Sequence, residues 1–263
     1  MIGVRTGQNK PESDERPQRI GLNNQMEGAM KVILRGSVLI IIISSILACA
    51  TMSTTTDEPR VQQLLVDEAR IVVDTFDADP EMGWFRRYLK DSKGVLIVPD
   101  LYKGAWFLGG SGGRGVLLVR DQETGKWFGP AFYTMGSVSF GLQFGGQKSE
   151  AIILVMTQKG IKSLQKTSVK LGGDASVAAG PVGIGAQGAT APSLNVDYIT
   201  FFRSMGAFIG ISIDGAIIDE NYDWNKAYYG KPVRPTDIIV TRSATNPNAA
   251  KLRSAVAKAS LTE

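Results

Sequence analysis

The sequence predicts an α+β fold, a strand-rich domain with helices at both ends, and three observations predict it. Pro130 to Lys148 (PAFYTMGSVSFGLQFGGQK) alternates along its length: Val138, Phe140, Leu142 and Phe144 fall on one face of an extended strand, Ser137, Ser139, Gly141, Gln143 and Gly145 on the other. A period of two marks a half-buried strand. Short apolar runs bounded by glycines recur on either side, and 30 glycines with 21% charged residues favour a turn-rich sheet. Before and after these runs apolar residues recur at three and four, the helical spacing. With 263 residues, 43% of them hydrophobic, the chain can bury one sizeable core.

Residues 1–29 are polar, contain Pro11 and Pro17 and show no period; they read as disordered or as a mis-assigned start, with translation expected from Met26 or Met30. Met30 to Arg35 is a short basic start, and Gly36 to Ala48 is an uncharged run of 13 residues. That is shorter than the ~20 apolar residues of a membrane span and suits the apolar part of a secretory signal over 30–48. Ile46-Leu47-Ala48-Cys49 resembles a bacterial lipobox. The resemblance implies cleavage before Cys49 and a diacylglycerol on its sulfur, in a lipoprotein of the cell envelope. Ala50, not aspartate, follows the cysteine, so outer-membrane attachment facing the periplasm is expected. The other reading of Cys49 is an incidental cysteine in a signal anchor. Residues 49–60, rich in Thr and Ser, read as a flexible tether.

The fold itself begins at Val61. Val61, Leu64, Leu65, Glu68/Ala69, Val72 and Phe76 share one helical face, with Gln63, Asp67, Arg70 and Asp74 opposite. Pro80 permits a second helix, on which Met82, Phe85, Tyr88 and Leu89 share a face beside Arg86, Arg87 and Lys90. Two readings stay open here. Trp84, Phe85 and Tyr88 with Arg86, Arg87, Lys90 and Lys93 form a lipid-binding surface, or the aromatics are core and the bases a solvated flank. Strands then follow at Gly94–Pro99, Ala105–Leu108 and Gly115–Arg120, with a hairpin at Asp121–Gly125 leading to Trp127. Ala151–Met156 is a buried strand, Thr157 a helix cap, and Val177–Gly188, Asp197–Arg203 and Ala207–Ile218 are further strands. Asn246-Pro247 introduces a final helix, within the segment 244–263, with Leu252, Ala255, Val256 and Ala259 on one face. The small-residue side of the central stretch implies close packing there, against another backbone or a ligand.

Composition excludes several function classes. The chain has no histidine, so Ser-His and Cys-His catalysis and His-ligated zinc or haem are out. One cysteine makes no disulfide and no metal cluster. Net charge is +4 and falls to +2 without residues 1–48, too little to imply nucleic acid. Gly110/Gly112/Gly115 and Gly183/Gly185/Gly188 match G-x-G-x-x-G by letter, but the first leads into a strand and the second into a loop. Neither opens a helix that would hold a pyrophosphate, so both read as hairpin or bulge glycines. Asp214, Asp219, Glu220 and Asp223 are the carboxylates from which a histidine-free hydrolase or a calcium site would be built; they read as residues of strand ends and turns. No enzyme activity, metal or cofactor is expected.

Several segments in order resemble the SYLF domain family, also called the Ysc84 or DUF500 family. They are Lys93-Gly94-Val95-Leu96-Ile97-Val98-Pro99, Gly112-Gly113-Arg114-Gly115-Val116-Leu117, and Trp127 with Pro130-Ala131-Phe132-Tyr133. Next come Gly136-Ser137, Gly141-Leu142-Gln143-Phe144-Gly145 and Asp174 to Gly183. Last are Gly206 to Gly215, then Asn225 with Tyr228-Tyr229-Gly230. The likeness runs from about Val61 to Thr241, with Trp127-Phe128-Gly129-Pro130 departing from the family's usual Trp-Ser before proline. It implies binding rather than catalysis: relatives bind phosphoinositide membranes, and the yeast type binds actin. The expectation is a phospholipid-binding domain over 61–243, with a curved, barrel-like or half-barrel antiparallel sheet. The alternative is a structural or protein-interaction module of the envelope. An envelope protein has no access to actin, so actin is not expected as a partner.

Overall fold

A computed structural model describes residues 59–105, 108–140, 145–181, 195–204, 207–209, 213 and 215–262. These fall in one unit, Thr56–Glu263. Cys49, the signal segment and residues 49–58 lie outside the described residues, as do 182–194 with the second glycine motif; Pro59 and Arg60, read as the end of the tether, already belong to the first helix.

A twenty-residue helix, α1 (Pro59–Ala78), and a shorter one, α2 (Gly83–Asp91), precede nine strands. These are β1 (Gly94–Ala105), β2 (Leu108–Arg120), β3 (Trp127–Phe140), β4 (Gly145–Val155), β5 (Ser168–Lys170), β6 (Val177–Ala179), β7 (Tyr198–Ser204), β8 (Ala207–Ile209) and β9 (Ile217–Glu220). Helix α3 (Gln158–Leu164) follows β4; α4 (Tyr222–Tyr229), α5 (Pro235–Ile239) and α6 (Ala250–Ala259) follow β9. The strands form one curled, half-barrel sheet in the order β5-β9-β3-β2-β1-β4-β7-β6. Every neighbouring pair is antiparallel except β6 with β7, and β8 pairs with the far half of β7. The α+β class and the curved antiparallel sheet are as the sequence predicts.

Both faces of the central strands are buried, and alternation sorts them. Val95 and Ile97, Ile152 and Leu154, and Ile199 and Phe201 pack under α1, α2 and α6. Leu96 and Val98, Ile153 and Val155, and Tyr198 and Phe202 face a second cluster closed by α3 and α5 through Ile161, Leu164, Ile238 and Ile239. A strand covered twice reads as an unbroken apolar run, which is why Gly94–Val98 is so hydrophobic.

Three strand readings need correction. The stretch Pro130–Lys148 is not one strand: β3 ends at Phe140, β4 starts at Gly145, and β2 and β1 lie between them. A period of two reports the pleat and not the pairing partner. The side chains of 138–147, including Leu142 and Phe144, lie outside the described residues. Second, β1 does not stop at Pro99 but runs to Ala105, and Ala105–Leu108 is no strand of its own: Ala105 closes β1, Leu108 opens β2, and 106–107 lie outside the described residues. β1 runs through Pro99, where the register shifts between Ile97 and Asp100; a proline is tolerated at such a bulge. Third, β2 extends back through the glycine-rich segment to Leu108. A Cβ on Gly115 would lie 2.8 Å from the Ile97 carbonyl oxygen. The first glycine motif therefore serves close packing against the bulge and opens no helix.

The helix readings fare better, with one phase error. On α1 Leu65, Ala69, Val72 and Phe76 are buried as expected, joined by Val66 and Val73. Val61 and Leu64 are exposed instead, at 36% and 55%. Thr157 caps α3, its Oγ1 accepting from the Gly160 N–H at 3.0 Å. Asn246 caps a short 3-10 turn, Pro247–Ala249, that leads into α6, whose Leu252, Val256 and Ala259 are buried. α4 and α5 have no counterpart in the sequence reading.

Candidate functional site

The site begins where α1 ends. Asp79 accepts from the Glu81 N–H at 2.8 Å and Pro80 opens the turn that becomes α2. α2 buries Met82, Phe85, Tyr88 and Leu89, the face expected from the spacing, and Trp84 as well. Phe85 meets Phe76 edge-on at 5.6 Å and Phe201 at 5.7 Å. Trp84 stacks on Tyr88 at 5.7 Å. Burial pushes the Tyr88 hydroxyl pKa up, with the Arg87 charge opposing. The reading of Trp84, Phe85 and Tyr88 as rings at a lipid surface thus gives way to the core reading. Each aromatic withdraws roughly 150–250 Å² from water, and in this fold that area is spent against the sheet.

The bases divide. Arg86 is half-buried, and its Nη1 donates to the carbonyl oxygens of Asp77 and Asp79, each at 2.9 Å. It satisfies the Asp77 carbonyl at the end of α1, and joins the Met82 N–H at the Asp79 carbonyl in the turn that follows, and so is a structural cation. Arg87 is exposed, its guanidinium 5.3 Å from the Trp84 ring centre. Lys90 is exposed, and its carbonyl accepts from Arg120 Nη1 at 2.5 Å. Lys93 places Nζ 3.3 Å from Gln122 Oε1, and its carbonyl accepts from the Arg120 N–H at 2.8 Å. Lys90, Lys93 and Arg120 therefore meet where α2 joins the ends of β1 and β2, with Arg87 one turn back on α2. None of these four makes an ion pair among the described residues. Arg120 is the member sequence reasoning missed: it is 27 residues beyond Lys93, and only the β1–β2 register brings it there.

Other singled-out residues resolve as structure. Ser137 pairs across β2–β3 with Ser111, the hydroxyls 2.7 Å apart, so close backbone packing accounts for it. Glu220 is bound by Arg234 at 2.8 Å, while Asp219 and Asp223 are exposed. Asp214 lies outside the described residues, and among those described no cluster of three or more acidic, His or Cys residues could hold a metal. Asn225, a family-like position, is buried; its Oδ1 accepts from the Phe132 N–H at 2.8 Å and its Nδ2 donates to the Phe132 carbonyl at 3.3 Å. Tyr229 donates to the Pro130 carbonyl at 2.8 Å. Both motif residues pin α4 to β3.

A helix-flanked half-barrel with bases on its rim is the class of domain that results. The family model for Ysc84, described as a Las17-binding protein actin regulator, matches residues 136–259. Over these residues the chain is similar to the Ysc84, or SYLF, family. It is similar to LAS seventeen-binding protein 3 of Saccharomyces cerevisiae, 31% identical over 145 residues, 54% of this chain and 31% of that one. It is also similar to SH3 domain-containing YSC84-like protein 1 of Homo sapiens, 27% identical over 111 residues, 42% of this chain and 32% of the relative. The bovine protein of that name is 28% identical over 119 residues, 44% and 35% of the two chains. The chain thus spans about a third of the length of these curated relatives.

Proposed function

We propose that the protein is a non-catalytic module that binds an anionic phospholipid surface from a lipid anchor at Cys49 in a bacterial envelope, most naturally the outer membrane. The observation that carries this is the rim of Arg87, Lys90, Lys93 and Arg120, four cations without an ion-pair partner among the described residues. Each base near an anionic membrane contributes about 1 kcal/mol, and salt weakens the attraction. The aromatic rings take no part, so the rim is electrostatic, and an anchor that holds the membrane at high local concentration compensates for its weakness.

The test is vesicle sedimentation of the unlipidated chain with phosphatidylglycerol and with phosphatidylcholine, comparing wild type with the Arg87→Glu/Lys90→Glu pair. Binding to the anionic vesicles should fall by roughly tenfold or more at low salt, with Tm unchanged. Full binding by a folded double variant would refute the rim. Cys49→Ser tests the anchor separately: the variant should leave the membrane fraction or persist as an uncleaved precursor, and unchanged processing and fractionation would exclude lipidation. A second reading, a protein-interaction module, is favoured by Leu64 and Tyr102, each 55% exposed beside a groove of about 530 Å³. Binding to neither kind of vesicle would favour it.

A further inference from the structure

A second concavity, remote in sequence from the α2 bases, has the chemistry of a ligand site. It is a cleft of about 460 Å³ between the β2–β3 hairpin, α5 and α6, within the size range of small-molecule pockets. Its polar wall carries donors and hydroxyls: Lys126, Trp127, Arg253, Thr124, Thr245 and Ser254. Ile238, Ala244 and Ala257 supply the apolar wall. No carboxylate lines it among the described residues. Asp121, at the start of the hairpin turn, is already engaged by Arg242 and by Thr124.

Two of the donors have unused capacity. Arg253 donates from Nη1 alone, to the carbonyls of Gly129 at 3.0 Å and Asn246 at 3.2 Å, and forms no ion pair among the described residues. A guanidinium has five N–H donors. Trp127 is 6% exposed, and its Nε1 is buried without a hydrogen-bond partner. An orphaned buried donor costs about 1–3 kcal/mol, so such a group calls for an explanation. An acceptor entering the cleft supplies one. It reaches the indole N–H with a small shift of the lining, of the side-chain kind common on binding, and the exposed Thr124 and Lys126 sit on a surface turn.

We propose that this cleft binds a single-chain amphiphile with an oxyanion head, a carboxylate or a phosphate monoester. The head is received by Lys126, Arg253 and the Trp127 Nε1–H, and the aliphatic chain lies on Ile238, Ala244 and Ala257. The site does not rest on membrane binding, although its hairpin adjoins the rim: a Cβ on Gly125 would lie 3.7 Å from Arg120 Nη2.

The test is calorimetric titration of the full chain with decanoate, decyl phosphate and decanol, with the indole N–H resonances followed by NMR. At least one of the anions should bind and shift the Trp127 resonance, and the ratio of the two affinities identifies the head. Decanol should bind about tenfold more weakly or worse. Replacing Trp127 by 3-benzothienylalanine, which keeps the bicyclic ring and puts sulfur in place of the unpartnered N–H, should weaken the anion about tenfold without lowering Tm. Lys126→Glu, on an exposed side chain, should weaken it by at least as much, and Ser254→Trp, on the exposed side of α6, should block the cleft. Equal binding of decanol, no binding of either anion, or wild-type affinity in all three variants would overturn the proposal.

Discussion

Asp197 shows how one residue can tie three segments together. Its side chain is nearly buried. It accepts from Thr157 Oγ1 at 2.5 Å, Lys159 Nζ at 2.9 Å, and the N–H and Oγ of Ser176, both at 3.0 Å. The start of α3, the approach to β6 and the start of β7 are joined through one carboxylate. Burial pushes its pKa up, but the hydrogen bonds from Thr157, Lys159 and Ser176 outweigh this and hold the group at about 2, below the ordinary 3.8. A depressed carboxyl stabilises the fold above its unfolded pKa, and that contribution disappears as pH falls from about 4 through about 2. The share lost is about 2–3 kcal/mol. Denaturant titrations between neutral and acid pH should show this slope in wild type and a flatter one in Asp197→Asn, which should also be less stable at pH 7. An identical slope in the variant would place the acid sensitivity elsewhere. The neighbours Arg86 and Arg87 make a second residue-scale contrast. Arg86→Ala removes a donor from the carbonyls of Asp77 and Asp79 and should cost about 1–3 kcal/mol, read as a fall in Tm; Arg87→Ala should leave Tm almost unchanged.

At the scale of elements, the buried amide of Asn225 deserves comparison with a strand. β9 pairs with β3 only from Tyr133 to Gly136. One residue beyond, Asn225 presents to Phe132 the donor and acceptor that another backbone would offer. Asn225→Ala should leave the Phe132 N–H unpaired in the core and lower stability by about 1–3 kcal/mol, whereas Asn225→Gln should recover little because its longer arm moves both groups out of register. On α1, Leu65→Ala should cost about 2–5 kcal/mol and Leu64→Ala almost nothing, which thermal melts would distinguish. That pair also shows how far the sequence could be read. Helical spacing located α1 and gave the buried face of α2 apart from Trp84. It did not decide the rotation of α1's first turns, because Val61 and Leu64 are as apolar as the residues beside them. α4 and α5 escaped because they are short, and their burial depends on partners distant in sequence, such as Phe132 for α4. The bases of the rim were legible as a cluster, yet Arg86 was not separable from Arg87, since the difference lies in the carbonyls of Asp77 and Asp79. The Trp127–Arg253 cleft left no local signal, its walls being 126 residues apart.

At the scale of the molecule, the sheet's interior is long and its margins are short. β1 to β4 each run eleven residues or more. One outer margin is β5, of three residues. The other edge of β7 is shared end to end by β6 against Tyr198–Thr200 and β8 against Phe202–Ser204, three residues each. A sheet that exposes a long unpaired strand offers a template for a second chain. Here β1 and β2 have long neighbours on both sides; the outer side of β3 is met by β9 only over Tyr133–Gly136, and beyond it by the side chains of Asn225 at Phe132, Tyr229 at Pro130 and Arg253 at Gly129. Two copies meeting side by side would then find little continuous unpaired backbone and would touch through side chains rather than by fusing their sheets.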